Sequence, residues 1–313
     1  MPPGRYPACE EHALSRGIMN DTPTITLTFP EADIALLTLD MQDKGANILS
    51  RPVLDELAAH LDDLEGHDDL AGLVITSGKP GMFVAGADVR EFVAALGQPS
   101  DVILESSRRG QKLLARLSQG NYVTVAAVEG ACLGGGSELA LWCDRRIMAD
   151  TAKTEIGQPE VKLGILPGWG GTVRLPRIVG IGNAAEIVTG GDSLDPGTAR
   201  QMQLVDEVTS PDRLLDAAIA MIREEQRTGK YLKDRQRLRS PITINETELG
   251  FLGVTAGAWI RQQTKGHYPA PEVALNLMLE TAFCDEETAC QKEAEAVTGL
   301  FGSPENRSLM NVF

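Results

Sequence analysis

The stretch Glu129-Gly130-Ala131-Cys132-Leu133-Gly134-Gly135-Gly136-Ser137-Glu138 decides how this chain reads. It follows an apolar run, Tyr122 to Val128, that reads as a buried strand. It leads into Ser137 to Trp142, a short apolar helix. Three glycines between a strand and a helix leave the backbone bare, so a ligand can come close to it. A helix start carries free N–H groups and the positive end of a dipole. Together these make a candidate oxyanion hole, with fixed donors aimed at an oxygen that gains charge. Glu138 falls in the first turn of that helix, beside the developing charge.

Three further stretches belong with it: Met82-Phe83-Val84-Ala85-Gly86-Ala87-Asp88, Gly157-Gln158-Pro159-Glu160 and Pro167-Gly168-Trp169-Gly170-Gly171-Thr172. The first is a second glycine-broken strand end, able to supply another donor. Glu138 and Glu160 both follow glycine-bearing turns, and Pro159 restricts the backbone before Glu160. Two glutamates around one site can share a water, one taking a proton while the other gives one. Burial and mutual repulsion would raise one pKa toward neutrality, as general acid catalysis requires. Plainer roles fit the same residues. A glutamate in a first helical turn often only compensates the dipole, and one after proline is often exposed. Spacing alone leaves both readings open.

In order and spacing, the four stretches together resemble the enoyl-CoA hydratase/isomerase (crotonase) superfamily, over about residues 24–210. The resemblance implies an α/β fold, a spiral of ββα units followed by a helical C-terminal region. It implies oxyanion-hole donors on the backbone N–H of Ala87 and Gly135, catalytic Glu138 and Glu160, and a water-positioning backbone at Gly168. It implies weaker coenzyme A contacts at Lys44, Ala85 and Asp88. Val84, Ser137 and Trp169 depart from the family pattern without removing a donor or an acid. The implied reaction is syn hydration of a 2-trans-enoyl-CoA to the 3-hydroxyacyl-CoA, in fatty-acid β-oxidation. Glu160 would protonate the α-carbon and Glu138 activate the water. The alternatives are a Δ3-Δ2-enoyl-CoA isomerase using the same glutamates, or a non-catalytic acyl-CoA-binding or assembly subunit.

The tail carries a narrower resemblance. Gly266 to Pro271 and Gly302 to Leu309 are similar to the linker of multifunctional fatty-acid oxidation α-subunits. There a hydratase part precedes an NAD-dependent dehydrogenase. The chain is therefore expected to be the hydratase half of such a subunit, or a naturally short protein. The partners implied are further copies of itself or, within a longer α-subunit, a thiolase β-subunit. No NAD is expected, and acyl-CoA enters as substrate rather than cofactor. Gly180-Ile181-Gly182 followed by Ala185 approaches a dinucleotide fingerprint, but Pro176 breaks the segment before it.

Composition bounds the rest. The 313 residues make one large domain, or one domain with an appendage. Charged residues are 23% and hydrophobic ones 42%, ordinary for a soluble globular chain. A net charge of −15 argues against nucleic acid as the main partner. No apolar run approaches the roughly 18 residues of a membrane span, and the N-terminus lacks a signal-peptide pattern, so a cytoplasmic location is expected. Five scattered cysteines form no C-x-x-C pair and suggest neither a disulfide framework nor a metal site. None of the four histidines lies near the glycine-rich centre in sequence. A serine-hydrolase elbow at Ser137 fails, because Leu139 stands where glycine is required.

The expected organisation is a disordered extension over 1–22, with Met19 as an alternative start, a catalytic core over 23–210 and a helical region over 211–313. Patterning predicts strands at Thr24–Thr28, Ile34–Asp40 and Ala71–Thr76. It predicts helices at Arg51–Leu64 (capped by Ser50), Asp101–Leu117, Asp212–Glu225, Pro269–Phe283 and Asp285–Leu300. The basic run Lys230 to Arg239 reads as an irregular, solvated connector. Gly253 and Gly257 suggest close helix packing, and the broad apolar spread from Val273 to Leu279 suggests burial on two sides, against the core and against another domain or subunit.

Overall fold

The computed structural model describes residues 23–42 and 44–311; the extension expected over residues 1–22 lies outside them. Its strands are β1 (Ile25–Glu31), β2 (Ile34–Leu39), β3 (Gly72–Ser77), β4 (Met82–Val84), β5 (Val123–Val128), β6 (Ala131–Leu133), β7 (Arg145–Ala149), β8 (Glu155–Gly157), β9 (Ser193–Leu194) and β10 (Glu207–Thr209). The larger sheet runs β1-β2-β3-β5-β7-β10 and the smaller β4-β6-β8-β9. Consecutive strands thus alternate between sheets: β3 and β4, β5 and β6, β7 and β8 each give one strand to each. From β2 to β10 the larger sheet is parallel, as are β4, β6 and β8 in the smaller one. Parallel neighbours need long crossovers, which the helices supply. This is the expected spiral of ββα units, with the expected helical C-terminal region after it.

The helices are α1 (Arg51–Leu64), α2 (Val89–Ala95), α3 (Ser100–Ala115), α4 (Gly135–Trp142), α5 (Gly171–Val179), α6 (Ile181–Gly190), α7 (Pro196–Gln201), α8 (Leu214–Thr228), α9 (Lys230–Arg239), α10 (Glu246–Thr264), α11 (Pro269–Thr281), α12 (Glu286–Leu300) and α13 (Pro304–Met310). Helix α1 starts after Ser50, with proline in its first turn, and buries Val53, Leu57, Leu61 and Leu64. Strand β5, VTVAAV, is buried along its whole length, as a central parallel strand must be. Helix α8 covers that sheet with Leu214, Ala218 and Ile222.

Three expectations change. The basic run is helix α9, not an irregular connector, and Arg235 in it is buried. Arg235 grips Asp144 with Nε on Oδ1 at 2.6 Å and Nη2 on Oδ2 at 2.7 Å, and also donates to the carbonyls of Gly120 and Tyr122. Buried acids contributed from elsewhere in the chain turned a solvated charge run into an anchor. Pro176 lies inside α5 rather than breaking the segment. The second covered side of α11 faces α10 of the same chain. A Cβ on Gly253 would stand 2.9 Å from Leu279 there, so Gly253 does serve close packing; at Gly257 only its own helix's Arg261 is near.

Helices α11 and α12 pack back on the spiral. The first meets α6, the second α3 and α5. That places the helical tail against the turn before α5, where the chemistry collects.

Candidate active site

Strands β4 and β6 pair in parallel, so the two glycine-broken strand ends lie side by side. Beyond β4 the chain is pinned by Asn47, which is buried. Its Nδ2 donates to the carbonyls of Leu39 (2.9 Å) and Phe83 (3.1 Å), and its own carbonyl accepts the N–H of Ala85 at 2.9 Å. Beyond β6, Gly134 takes φ 52° and ψ −125°, a conformation open to glycine alone, and starts α4. A Cβ on Gly135 would lie 3.4 Å from Ala87 N, so the two expected donors are neighbours. Among the described residues neither amide donates to a protein acceptor. The N–H of Gly168 likewise has none, while its carbonyl accepts from Ser107 Oγ at 2.6 Å.

Both glutamates are buried at this point. Glu138 Oε1 accepts the N–H groups of Trp169 (2.7 Å) and Gly171 (2.8 Å). Glu160 stands in the 3-10 turn Pro159–Leu163 that follows β8. Its Oε1 would be 2.7 Å from a Cβ on Gly134, and its Oε2 is buried without a partner among the described residues. Burial pushes the Glu160 carboxyl up to about 8, with the charge of Glu293 adding to the rise. Burial also pushes Glu138 well up, helped by Glu160 and Glu293; its two amide donors oppose the rise. Amides that donate to a carboxylate favour the ionised form. Glu138 accepts from two such amides, and a backbone N–H at Glu160 likewise opposes the rise of that carboxyl, while Glu160 Oε2 has no donor among the described residues.

A third carboxylate joins them which the sequence did not single out. Glu293 of α12 is fully buried and binds the turn Gly168–Thr172 from the opposite side. Motif reading missed it; the signal that could have found it is its place four residues from Ala289 and Val297, a charged residue on the buried stripe of α12. Trp169 packs on Gly135 and on Gly110 of α3; a Cβ at either would collide with its ring, at 2.8 and 2.3 Å.

The remaining expected residues sit at the margin. Asp88 caps α2, accepting from Arg90 N at 3.0 Å. The guanidinium of Arg90 and the charge of Lys44 outweigh its partial burial and hold its carboxyl below the usual range. Lys44 is exposed and Ala85 half-buried. Ser137 Oγ accepts from Gln158 Nε2 at 3.2 Å and is buried, with no histidine bonded to it among the described residues. Cys132 is buried, and burial pushes its thiol far up, which suits packing rather than reactivity.

Comparison with known proteins agrees with this geometry. A family model described as enoyl-CoA hydratase/isomerase matches residues 30–234. A protein of Shewanella amazonensis named fatty acid oxidation complex subunit alpha is 37% identical over 292 residues, covering 93% of this chain and 41% of that relative. An Idiomarina loihiensis protein of the same name is 34% identical, again covering 41% of its length. The chain thus spans about two fifths of these relatives. Among solved structures, Pseudomonas aeruginosa DspI is 29% identical with a TM-score of 0.60, covering 80% of this chain and 96% of that one. An enoyl-CoA hydratase from Bacillus anthracis is 27% identical with a TM-score of 0.60, covering 78% and 90%. Matched along most of its alternating-strand spiral, this chain belongs to the enoyl-CoA hydratase/isomerase family.

Proposed function

We propose that the chain hydrates 2-trans-enoyl-CoA thioesters to 3-hydroxyacyl-CoA, the hydratase step of fatty-acid β-oxidation. The observation that carries this reading is the pairing of two buried glutamates with two adjacent backbone amides that have no protein acceptor among the described residues. The thioester oxygen sits between Ala87 N–H and Gly135 N–H, which stabilise it as the enolate forms. Glu138, as carboxylate, takes a proton from water as the water oxygen bonds to the β-carbon. Glu160, as the acid, gives its proton to the α-carbon. One water is consumed, its hydroxyl ending on Cβ; its proton passes to the glutamate pair, which lost one to Cα. Gly168 N–H helps hold that water. No redox cofactor takes part, and coenzyme A belongs to the substrate. Lys44, exposed beside Asp88, is available to the coenzyme's phosphates, and Ala85 borders its path.

The test follows the loss of conjugated enoyl-thioester absorbance with crotonyl-CoA, then decenoyl-CoA. Glu138→Gln and Glu160→Gln should each lower kcat about 10²–10⁴-fold, the usual range for a general acid or base. Silence of the wild type with both substrates would sink the hydratase reading. The same two glutamates suit Δ3-Δ2 isomerisation, so a 3-enoyl-CoA is the third substrate to try. By name the relatives are subunits of a complex. Exposed Phe251, Val254 and Trp259 on α10 offer an apolar face to another subunit, a second copy or a thiolase β-subunit. No helix among the described residues is long and apolar enough to cross a membrane.

A further inference from the structure

The turn Gly168–Thr172 lies between two carboxylates, and its amides alternate between them. Trp169 N and Gly171 N donate to Glu138 Oε1. Gly170 N donates to Glu293 Oε1 at 2.6 Å, and Thr172 N to Glu293 Oε2 at 2.8 Å. Thr172 Oγ1 adds a third bond at 2.6 Å, and Gln111 Nε2 of α3 a fourth at 3.0 Å. Glu293 has no cation as partner among the described residues. The cations on the nearby face of α5 are engaged elsewhere: Arg174 with Glu286, Arg177 with the carbonyls of Val173 and Cys284. A buried carboxylate held only by four neutral donors is a costly arrangement. Its immediate return is local: it satisfies the buried amides of Gly170 and Thr172, which a leucine would strand.

We propose that Glu293 is a positioning residue for the reaction: by holding alternate amides from behind, it fixes the turn so that Trp169 and Gly171 present theirs to Glu138. Without that hold the turn is free to rotate its peptides, and Glu138 loses the donors that keep it a carboxylate. The side chain comes from α12, beyond the residues that the family model matches, so the helical tail completes the catalytic centre. Two more ties run the same way. Tyr268 OH donates to the Val161 carbonyl, next to Glu160, and Asn306 Nδ2 donates to the Leu163 carbonyl at 2.8 Å.

Glu293 also acts at a distance. Its charge, with burial, raises both Glu138 and Glu160. The titratable groups facing it are Glu138 on α4, Glu160 after β8, and Cys290 one turn earlier on α12; α3 presents only neutral Gln111 and Ser107. Removing the charge should therefore lower the midpoint of Glu160; at Glu138 the lost charge and the loosened amides act in opposite directions.

The inference rests on the proposed hydration, and its test separates the two. In the full chain, Glu293→Gln keeps the shape but turns an amide NH2 toward the donors of Thr172. Its kcat should fall about 10- to 100-fold with KM within threefold, and the alkaline limb of the kcat–pH profile should move to lower pH. A folded variant with kcat within threefold of wild type and an unmoved limb would overturn the proposal. Thr172→Val is the second variant, in case the first does not fold. It keeps the charge and both amides and removes one bond, so kcat should fall several-fold with the limb in place. Unchanged kcat there would also count against it. If the wild type turns over no enoyl-CoA, NMR titration of 13C-labelled glutamates still decides. In Glu293→Gln the Glu160 midpoint should drop and the Trp169 and Gly171 amide signals should shift. An unmoved Glu160 midpoint and unmoved amide signals would overturn the positioning role whatever the reaction is.

Discussion

The indole N–H of Trp142 donates to the carbonyl oxygen of Trp169 at 2.6 Å. The bond runs from the last residue of α4 to the turn whose amides bind Glu138, in the first turn of the same helix. Helix α4 therefore holds that turn at both of its ends. Arg174 lies over the Trp142 ring, 4.6 Å from its centroid, and its Nε donates to the Leu141 carbonyl. Trp142→Phe keeps the ring packing and strands the Trp169 carbonyl. Stability should drop by about 1–3 kcal/mol. Because the same turn serves Glu138, kcat should drop as well. Urea unfolding and steady-state kinetics on one preparation check both, and a stability loss with full activity would uncouple the turn from catalysis.

The Glu160 carboxyl gives stability a definite pH dependence. Held at about 8 in the fold, against an ordinary 4.5, it keeps its proton where the unfolded chain has released it. Between those values the native state binds more protons, so this group makes stability fall as pH rises through the window. Glu160→Gln removes that dependence. The variant and wild type should differ little in stability near pH 4.5. Near pH 8.5 the variant should be the more stable by about 2 kcal/mol or more. Equal differences at the two pH values would mean that Glu160 titrates normally.

Gly134 tests how closely Glu160 is held. Alanine there is strained at φ 52°, ψ −125° and meets Glu160 Oε1 at 2.7 Å. The strain costs about 1–3 kcal/mol. The carboxyl has to turn away from the hole, so kcat should fall at least about tenfold in a protein that still folds. Wild-type kcat in Gly134→Ala would show that Glu160 can act from a second position.

The Asp144–Arg235 pair anchors α9 to the larger sheet from inside the protein. Removing either partner leaves a buried charge alone, at about 3–5 kcal/mol. Asp144→Ala with Arg235→Ala should cost clearly less than the sum of the two single changes. A double-mutant cycle in urea measures this. Additive losses would mean that the bonds of Arg235 to Gly120 and Tyr122 carry the anchor instead.

The parts of this molecule legible in its sequence are those whose cause is local. A glycine at a strand end, a proline before Glu160 and the period of Leu54, Leu57, Ala58 and Leu61 act within a few residues of themselves, though the buried stripe of α1 runs through Val53 rather than Leu54. The four motif stretches and α1 could be read for that reason. Strands β4, β6 and β8 have three residues each, too few for a period to register. Glu293 is hard to read for a different reason. It and Glu295 stand two residues apart on one helix, yet the first is fully buried and the second exposed. Spacing from Ala289 and Val297 sets Glu293 on the buried stripe of α12, but the groups it binds, Gly170 and Thr172, lie more than 120 residues earlier. The basic run of α9 was misread on similar grounds, since Asp144 lies 91 residues before Arg235.

The pairing of β4 with β6 has a consequence for how this hole can evolve. Its two candidate amides stand just past neighbouring parallel strands about 4.8 Å apart, so their spacing depends on that pairing and on its register shift between Met82 and Val84. The sheet acts as a ruler that no side chain can regraduate. On the proposed reading, selection can reshape the walls of an acyl site, or exchange Glu138 and Glu160, without disturbing the spacing of these amides. Altering that spacing would take a slip in register, which would move every residue along both strands.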